Sequence, residues 1–349
     1  MTSCSYFVTG ANSGCGLEAA RQLAVHFSQQ QQETSAITTI YLLCRSEEKA
    51  LAAIETINKS VRSVNGKPNT ENLRLEFLKF DACDDEETIC KNMTLPPGND
   101  SSPTIGGILL NAGGFGDGKE TTPPEPNTSS GRRTACEIAK LNITGHVILV
   151  RHLLATQKTD ASTRIIAVGS ESAIVTPLDR SKANFVAHLE GTVPPEDKRF
   201  TFDYAWTKRI LALYWAAFAR HHPDFYVVTV SPGAVPSTQI LNRGSVSLLI
   251  KAVACIHQLQ IFGGSHSVEA GAKRYIDALL GHGLFEQGRD TGESKDENQK
   301  SGPPESGSFL ASRKGFTRDF GDVRCVKNGE FMCDRELQDR AWAAVQEFV

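Results

Sequence analysis

The sequence predicts a doubly wound α/β domain in which a parallel sheet lies between two layers of helices. Over the first 230 residues, short β-branched or apolar runs alternate with longer amphipathic stretches, as strands alternate with crossover helices. Several runs are almost wholly apolar, which is typical of strands covered by helices on both faces. The 349 residues, 40% of them hydrophobic, suffice for one large domain with inserted loops.

The predicted elements follow one another in regular order. The strands are Ser5 to Thr9, Thr38 to Leu43, Leu73 to Lys79, Ile105 to Leu110, Arg164 to Val168 and Phe225 to Val230. The helices cover residues 14 to 27, 46 to 63, 84 to 92, 131 to 155 and 203 to 221. Polar stretches predict inserted surface loops at Gln29 to Ser35, Leu95 to Thr104, Gly116 to Gly131 and Gly288 to Ser306, the last of them disordered.

Composition excludes several classes of function. The formal charge is -3 and no dense Lys/Arg tract occurs, so we expect no nucleic-acid partner. The 9 cysteines are scattered and never spaced as CxxC, and the 9 histidines form no HExxH motif, so we expect neither disulfides nor a metal site. The N-terminus has no secretory pattern, and the sequence therefore predicts a cytoplasmic protein.

A glycine-rich turn follows the first predicted strand and opens the first helix. It runs from Thr9 to Gly16 and places Asn12 and Ser13 among Gly10, Gly14 and Gly16. Glycine allows the sharp turn and lets a pyrophosphate approach main-chain N–H groups at the helix start. The spacing is GxxxGxG rather than GxGxxG, and taken alone it also fits an ordinary β-α turn.

The end of the second strand indicates which dinucleotide would fit. NAD sites usually carry Asp or Glu here for the ribose 2′-OH, whereas a 2′-phosphate favours a cation. Cys44 occupies the acidic position and Arg45 follows it. A guanidinium can pair with phosphate through two hydrogen bonds, so the sequence favours NADP(H) over NAD(H). The alternative is that Arg45 is only a solvated charge.

A tyrosine and a lysine lie four positions apart at Tyr204 and Lys208, within the predicted helix 203 to 221. This spacing places both side chains on one helix face. A nearby cation would lower the pKa of the phenol, so the pair could exchange a proton with a substrate oxygen. The alternative is an exposed pair without a chemical role.

Together, in this order across residues 5 to 238, these motifs resemble the short-chain dehydrogenase/reductase family, whose fold is Rossmann-like. The resemblance implies that Gly10, Gly14 and Gly16 form the cofactor turn and that Asp81 meets the adenine amino group. It implies that Asn142, Ser170, Tyr204 and Lys208 form the catalytic tetrad. It further places these residues beside the cofactor: Asn111, Ala112, Gly113, Pro232, Gly233, Val235 and Ser237.

The chain departs from the family pattern around the catalytic serine. Ser170 and Tyr204 are unusually far apart, so the residues from Ala173 to Phe202 resemble an inserted loop over the active site. Ser172 competes with Ser170 for the serine role. The family's threonine after the Pro-Gly turn is replaced by Ser237, with Thr238 beside it, so the donor of that contact is open.

The resemblance implies an NADP(H)-dependent enzyme that interconverts a carbonyl and an alcohol. The nearest branches are those of retinol dehydrogenases and protochlorophyllide reductases, which act on large apolar substrates. Two alternatives remain: reduction of a carbon-carbon double bond, and a catalytically idle NADP(H)-binding scaffold.

The resemblance also divides the single domain, 1–349, into two parts. Residues 1–238 would form the cofactor and catalytic core, and 239–349 a substrate-lid and C-terminal region. Within the latter, the apolar segment 246–262 is a candidate for peripheral membrane contact or for a buried helix. Family members often form homo-oligomers through the helices at 131 to 155 and 203 to 221.

Overall fold

The central sheet has eight strands. In this computed structural model the described residues are 3–30, 36–63, 71–95, 102–115, 133–175, 184–193, 200–233, 235, 267–282, 304–312, 323–325 and 331–349. The strands are β1 Cys4–Thr9, β2 Thr38–Cys44, β3 Leu73–Lys79, β4 Thr104–Leu110, β5 Arg164–Val168, β6 Tyr226–Val230, β7 Phe309–Ser312 and β8 Val323–Cys325. Their order is β3-β2-β1-β4-β5-β6-β7-β8. Seven strands run parallel and β8 pairs antiparallel to β7, which confirms the predicted α/β class.

Helices cover both faces of this sheet. They are α1 Gly14–Gln29, α2 Glu47–Ser63, α3 Glu86–Asn92, α4 Glu137–Ala139, α5 Gly145–Thr156, α6 Ser172–Val175, α7 Phe185–Glu190, α8 Phe200–His221, α9 Val268–Leu280 and α10 Arg335–Gln346. One apolar core joins the sheet to α1, α2 and α9, and the other joins it to α3, α5, α8 and α10. The arrangement is the three-layer one that the sequence predicts.

The predicted helix over 131 to 155 differs in the structure. It begins at Glu137, and a π-helical turn, Lys140–Thr144, separates α4 from α5. The turn contains Asn142, and such turns are frequent at functional sites because they re-aim side chains within a helix.

Helix α8 is enclosed on all sides. Every residue from Ala205 to Ala219 is buried, as expected for a helix that is apolar around its circumference. The sheet covers one side of α8. On the other side α10 packs along it, with Trp342 stacked on Tyr214 at a ring distance of 5.0 Å, and α7 contributes His188, stacked on Trp206 at 4.2 Å. The expected loop over the active site at 173 to 202 therefore contains a helix packed against α8.

The described residues after position 239 complete the core. Leu279 of α9 lies against Gly107 of β4, and β7 extends the sheet beside β6.

The sequence did not predict four of these later elements, which are β7, β8, α9 and α10. Of the predicted disordered range 288–306, the last three residues instead form a turn in which the Ser306 hydroxyl accepts from the Val227 N–H at 3.0 Å. Segment 246–262 lies outside the described residues, and no described helix is long and apolar enough to cross a membrane.

Candidate functional site

The predicted site residues gather at the carboxyl ends of the parallel strands. Gly10 follows β1, Arg45 follows β2, Asn111 follows β4, Ser170 follows β5, and Pro232, Gly233 and Val235 follow β6. Ligands of open α/β sheets bind in the crevice at this edge. The topology thus brings the separate motifs of the sequence to one side of the molecule.

The glycine turn after β1 is tightly packed and open to an anion. Gly10 has a φ of 66°, in the left-handed region that favours glycine. A Cβ on Gly16 would lie only 2.4 Å from the Gly10 carbonyl oxygen and 2.4 Å from Asn111 Nδ2. Ser13 is the N-cap of α1, but its side chain makes no capping hydrogen bond and the first turn holds no acidic residue. The N–H groups of this turn therefore suit a phosphate group.

A threonine joins the ends of β1 and β4. The Thr9 hydroxyl accepts the Ala112 N–H at 2.9 Å, and the Thr9 carbonyl accepts from Asn111 Nδ2 at 3.0 Å. Both bonds are screened from bulk water, where such bonds hold backbone segments firmly. They set the separation between the glycine turn and the segment from Asn111 to Gly113.

The end of β2 carries a thiol in place of a carboxylate. Main-chain N–H groups of Ala11 and Asn12 point to the Cys44 sulfur, and burial raises the pKa of the Cys44 thiol to about 11. The sulfur is therefore neutral. Arg45 is 63% exposed, and its guanidinium lies 4.0 Å from the carboxylate of Asp81, which also accepts the Cys83 N–H at 3.0 Å. The exposed guanidinium is free to reach a phosphate.

Three hydroxyl groups form a chain at the end of β5. The Ser172 N–H and hydroxyl both donate to Ser170 Oγ, at 3.2 and 2.9 Å. Because these bonds occupy both lone pairs of Ser170, its own proton can be directed at Tyr204, whose pKa it lowers. Ser170 thus interacts with the phenol, and Ser172 supports Ser170.

Lys208 and Asn142 complete the cluster. Lys208 Nζ donates to the Val168 carbonyl at 2.9 Å. A Cβ on Gly113 would lie 3.2 Å from this Nζ and 2.8 Å from Asn142 Oδ1, so both groups face the same glycine. Asn142 Oδ1 accepts the Gly114 N–H at 3.1 Å, and its Nδ2 donates to the Gly114 carbonyl at 2.8 Å.

Burial sets the pKa values of the tyrosine and the lysine. It raises the pKa of Tyr204 to about 12, although the hydrogen bond from Ser170 lowers it, and it reduces the pKa of Lys208 to about 7. The sequence expectation of a lowered tyrosine pKa is therefore wrong for this state of the chain. Lys208 Nζ lies 5.8 Å from the Tyr204 ring centre and desolvation outweighs its field.

The remaining predicted cofactor residues follow β6, and all but Ser237 are among the described residues. Gly233 has a φ of 77°, and its N–H donates to the Ser231 hydroxyl at 3.2 Å. Pro232 and Val235 pack against Gly271 of α9, which fixes the turn after β6. Ser237 lies outside the described residues. Among the described residues no group of three or more His, Cys, Asp or Glu side chains could hold a metal.

Sequence reasoning missed two residues of the site. The Phe115 ring lies 4.4 Å from the Tyr204 ring, and His146 is fully buried beside Thr9. Phe115 comes two residues after the Asn-Ala-Gly segment, and His146 comes one turn after Asn142. Their positions beside predicted site residues were the available clue.

Comparison with known proteins finds relatives that are named dehydrogenases. No family model matches the chain. The chain is similar to "Short chain dehydrogenase yanD" of Aspergillus niger, at 26% identity over 82% of this chain and 82% of that protein. It is also similar to (+)-neomenthol dehydrogenase of Arabidopsis thaliana, at 24% identity over 69% of this chain and 86% of that protein. The chain is therefore similar to members of the short-chain dehydrogenase/reductase family of oxidoreductases.

A solved structure shares the fold of this chain. Salutaridine reductase from Papaver somniferum superimposes with a TM-score of 0.51 at 18% identity, over 80% of this chain and 95% of that one. The described architecture is thus the family's Rossmann-like fold.

Proposed function

We propose that the protein is an NADP(H)-dependent oxidoreductase that interconverts a carbonyl and an alcohol on an apolar substrate. The observation that carries the proposal is that Ser170 interacts with the Tyr204 phenol, one helical turn from Lys208 and at the carboxyl edge of the sheet. A phenol with a serine hydroxyl beside it can hold a substrate oxygen between two hydroxyl groups. A site that only bound the cofactor would not need the Ser170 hydroxyl.

The chain has a place for a dinucleotide. Gly16 has no Cβ, so the Gly10 carbonyl and Asn111 can pack closely against it and hold the shape of the turn, and the uncapped start of α1 offers N–H groups to a pyrophosphate. When bound, a reduced nicotinamide cofactor supplies a hydride. We assign its binding to these residues: Gly10, Asn12, Ser13, Gly14, Gly16, Arg45, Asp81, Asn111, Ala112, Gly113, Tyr204, Lys208, Pro232, Gly233, Val235 and Ser237.

The proposed proton chemistry uses the chain's own groups. In the reductive direction Tyr204 gives its proton to the substrate oxygen, while Ser170 orients that oxygen. Because Tyr204 has a raised pKa, it is protonated at neutral pH and ready to act as the acid. Lys208 would hold the nicotinamide ribose, and Asn142 would hold the water that resupplies the proton.

The preference for NADP(H) rests on the end of β2. Cys44 presents a neutral sulfur where a carboxylate would repel a phosphate, and the exposed Arg45 guanidinium stands next to it. A guanidinium-phosphate pair is a charge-assisted, two-point contact. This geometry supports binding of the 2′-phosphate.

The apolar substrate class is supported by Phe115. Its ring is half-buried and covers one side of Tyr204, so a substrate oxygen that reaches the phenol would bring its carbon skeleton near an aromatic surface. Pockets of this kind select by apolar contact, with a few polar groups that fix orientation.

We also propose a cytoplasmic location, since no disulfide joins the cysteines of the described residues.

Fluorescence titration with NADPH and NADH tests the cofactor proposal. Arg45→Ala should weaken NADPH binding by about tenfold or more and leave NADH binding unchanged, because it removes a charge-assisted contact to phosphate. Arg62→Ala, which removes an exposed cation from the last turn of α2, is the matched control. Equal loss for both nucleotides, or no binding by the wild-type chain, would contradict the proposal.

A further inference from the structure

A buried histidine stands behind the cofactor crevice. His146 lies on α5 with no exposed surface, and its Nε2 is 3.3 Å from the Thr9 hydroxyl, 137 positions away in the chain. Its ring is stacked on Phe80, with centroids 5.9 Å apart and planes 18° apart. Thr9 directly precedes Gly10, and Phe80 directly precedes Asp81. One imidazole therefore contacts the residues next to two of the predicted cofactor-binding segments.

The hydrogen-bond partners determine the role that each ring nitrogen can play. His146 Nδ1 interacts with the main-chain carbonyl of Asn142, one turn earlier, although it reaches full hydrogen-bond geometry with no atom of the described residues. A nitrogen that faces a carbonyl carries the proton, so Nε2 is the acceptor. Thr9 Oγ1 already accepts the Ala112 N–H at 2.9 Å, and its own proton is directed either at His146 or at the Leu109 carbonyl 3.4 Å away.

The imidazole stays neutral under all physiological conditions. Burial, with a smaller effect of the Lys208 charge, lowers the pKa of His146 to about 3. The His146 ring therefore carries no charge and does not change its protonation state near neutral pH. It can act only through the direction of its two hydrogen-bonding nitrogens.

We propose that His146 is a positioning residue that orients the Thr9 hydroxyl and so holds the glycine turn and the Asn111 to Gly113 segment at the separation a dinucleotide needs. The inference rests on the proposed cofactor binding. Two successive hydrogen bonds connect these groups, one between His146 Nε2 and Thr9 Oγ1 and one from the Ala112 N–H to Thr9 Oγ1. Loss of the acceptor would let the hydroxyl turn away and the two strand ends relax apart.

Two substitutions separate this role from simple packing. His146→Phe keeps a ring against Phe80 but removes the acceptor, whereas His146→Gln keeps an acceptor oxygen. We expect the dissociation constant for NADPH to rise about tenfold in His146→Phe and less than about threefold in His146→Gln. The double variant with Thr9→Val should bind no worse than the weaker single variant, because both remove the same contact.

The controls distinguish the possible failures. His152→Phe, on the same helix, should bind NADPH like the wild type. Failure of the wild type to bind NADPH overturns the proposed function, whereas normal wild-type binding with equal binding by His146→Phe overturns only this inference. A fall in melting temperature in both His146 variants, with unchanged NADPH binding, would also overturn it, because that is the pattern of a residue that only packs.

A measurement on the unsubstituted protein covers the case in which a variant does not fold. Long-range ¹H–¹⁵N NMR spectra of histidine-labelled protein report which ring nitrogen carries the proton. We expect His146 as a neutral ring with the proton on Nδ1 between pH 6 and pH 8. A proton on Nε2 would overturn the inference, because Nε2 could then not accept from Thr9.

Discussion

The phenyl ring of Phe115 covers the phenol ring of Tyr204, with centroids 4.4 Å apart and planes tilted by 40°. The contact joins the segment after β4 to the start of α8, so it ties the predicted cofactor side of the site to its catalytic side. An aromatic pair at this distance excludes water from one face of the phenol. It therefore acts in the same direction as the burial that raises the pKa of Tyr204.

Phe115→Ala should change selectivity more than chemistry. We expect kcat/KM for a bulky aryl ketone to fall about tenfold, because an aromatic wall next to the reacting oxygen is lost, and that for a small aliphatic ketone to fall much less. Steady-state kinetics with both substrates and saturating NADPH measure the ratio. Equal losses for the two ketones would show that Phe115 does not contact the substrate.

Tyr204→Phe should abolish turnover and spare cofactor binding. Removing the acid is expected to reduce kcat by a factor of about 100 to 10,000, the usual contribution of general acid catalysis. NADPH titration should show that binding is retained, with a dissociation constant raised by no more than about threefold, because the other assigned cofactor residues remain. The control is Tyr41→Phe, which removes a phenol hydroxyl on β2, outside the catalytic cluster. A Tyr204→Phe enzyme with full turnover would exclude Tyr204 as the proton donor.

The elements of the first 230 residues could be predicted because each carries its own pattern. β3 and β5 have the predicted ends, and the other four predicted strands differ by a single residue at one end. The elements after residue 230 could not be predicted in this way. β7 has four residues and β8 three, too few for a periodic pattern; β7 forms a strand on the edge of β6, and β8 forms one on the edge of β7.

The site also contains residues that could be predicted from the sequence and residues that could not. Tyr204 and Lys208 are four residues apart on one helix, so local spacing identified the pair. His146 and Thr9 meet across 137 positions, and only the packing of α5 against the end of β1 brings them together. The predicted fall in the pKa of Tyr204 is wrong, and the sequence could not show this, because burial depends on the tertiary structure. Burial raises the pKa of the phenol by more than the nearby lysine lowers it.

The buried Lys208 ammonium should make stability depend on pH. Burial lowers its pKa from 10.5 to about 7, so between these values the unfolded chain binds a proton that the folded chain has released. The free energy of unfolding then rises with pH. Above about pH 9 the effect is opposed, because burial raises the pKa of the Cys15 and Cys44 thiols to about 11. The useful interval is therefore pH 7 to 9.

Denaturant unfolding of the cofactor-free protein at pH 7, 8 and 9 measures this dependence. The wild type should gain about 1 to 2 kcal/mol over the interval relative to Lys208→Met, which lacks the titrating group. Arg62→Ala, which leaves Lys208 in place, should follow the wild type. Parallel curves for the wild type and Lys208→Met would mean that Lys208 keeps an ordinary pKa in the folded chain.

The enclosure of α8 predicts that the protein does not self-associate through this helix. The family resemblance suggested the helix 203 to 221 as an oligomer interface, but from Ala205 to Ala219 it has no exposed face to offer. Helix α10 covers it through the Trp342–Tyr214 stack, and Arg220 pairs with Asp339 at 2.5 Å. A dimer through α8 would first have to displace α10, with the loss of these buried contacts. The enclosure bears on α8 and not on the helix at 131 to 155, so we expect that any multiple of the 37.9 kDa chain mass seen in light scattering after size-exclusion chromatography forms without α8.

Substitution of the covering residue tests the physical reason. Trp342→Arg should loosen α10, lower the melting temperature by roughly 5 °C and produce larger species as the apolar face of α8 becomes accessible. The neighbouring exposed Ala343→Arg adds the same charge without touching α8 and should keep the wild-type mass. A wild-type dimer that Trp342→Arg converts to monomer would contradict the prediction, because α10 would then be part of an interface between two chains.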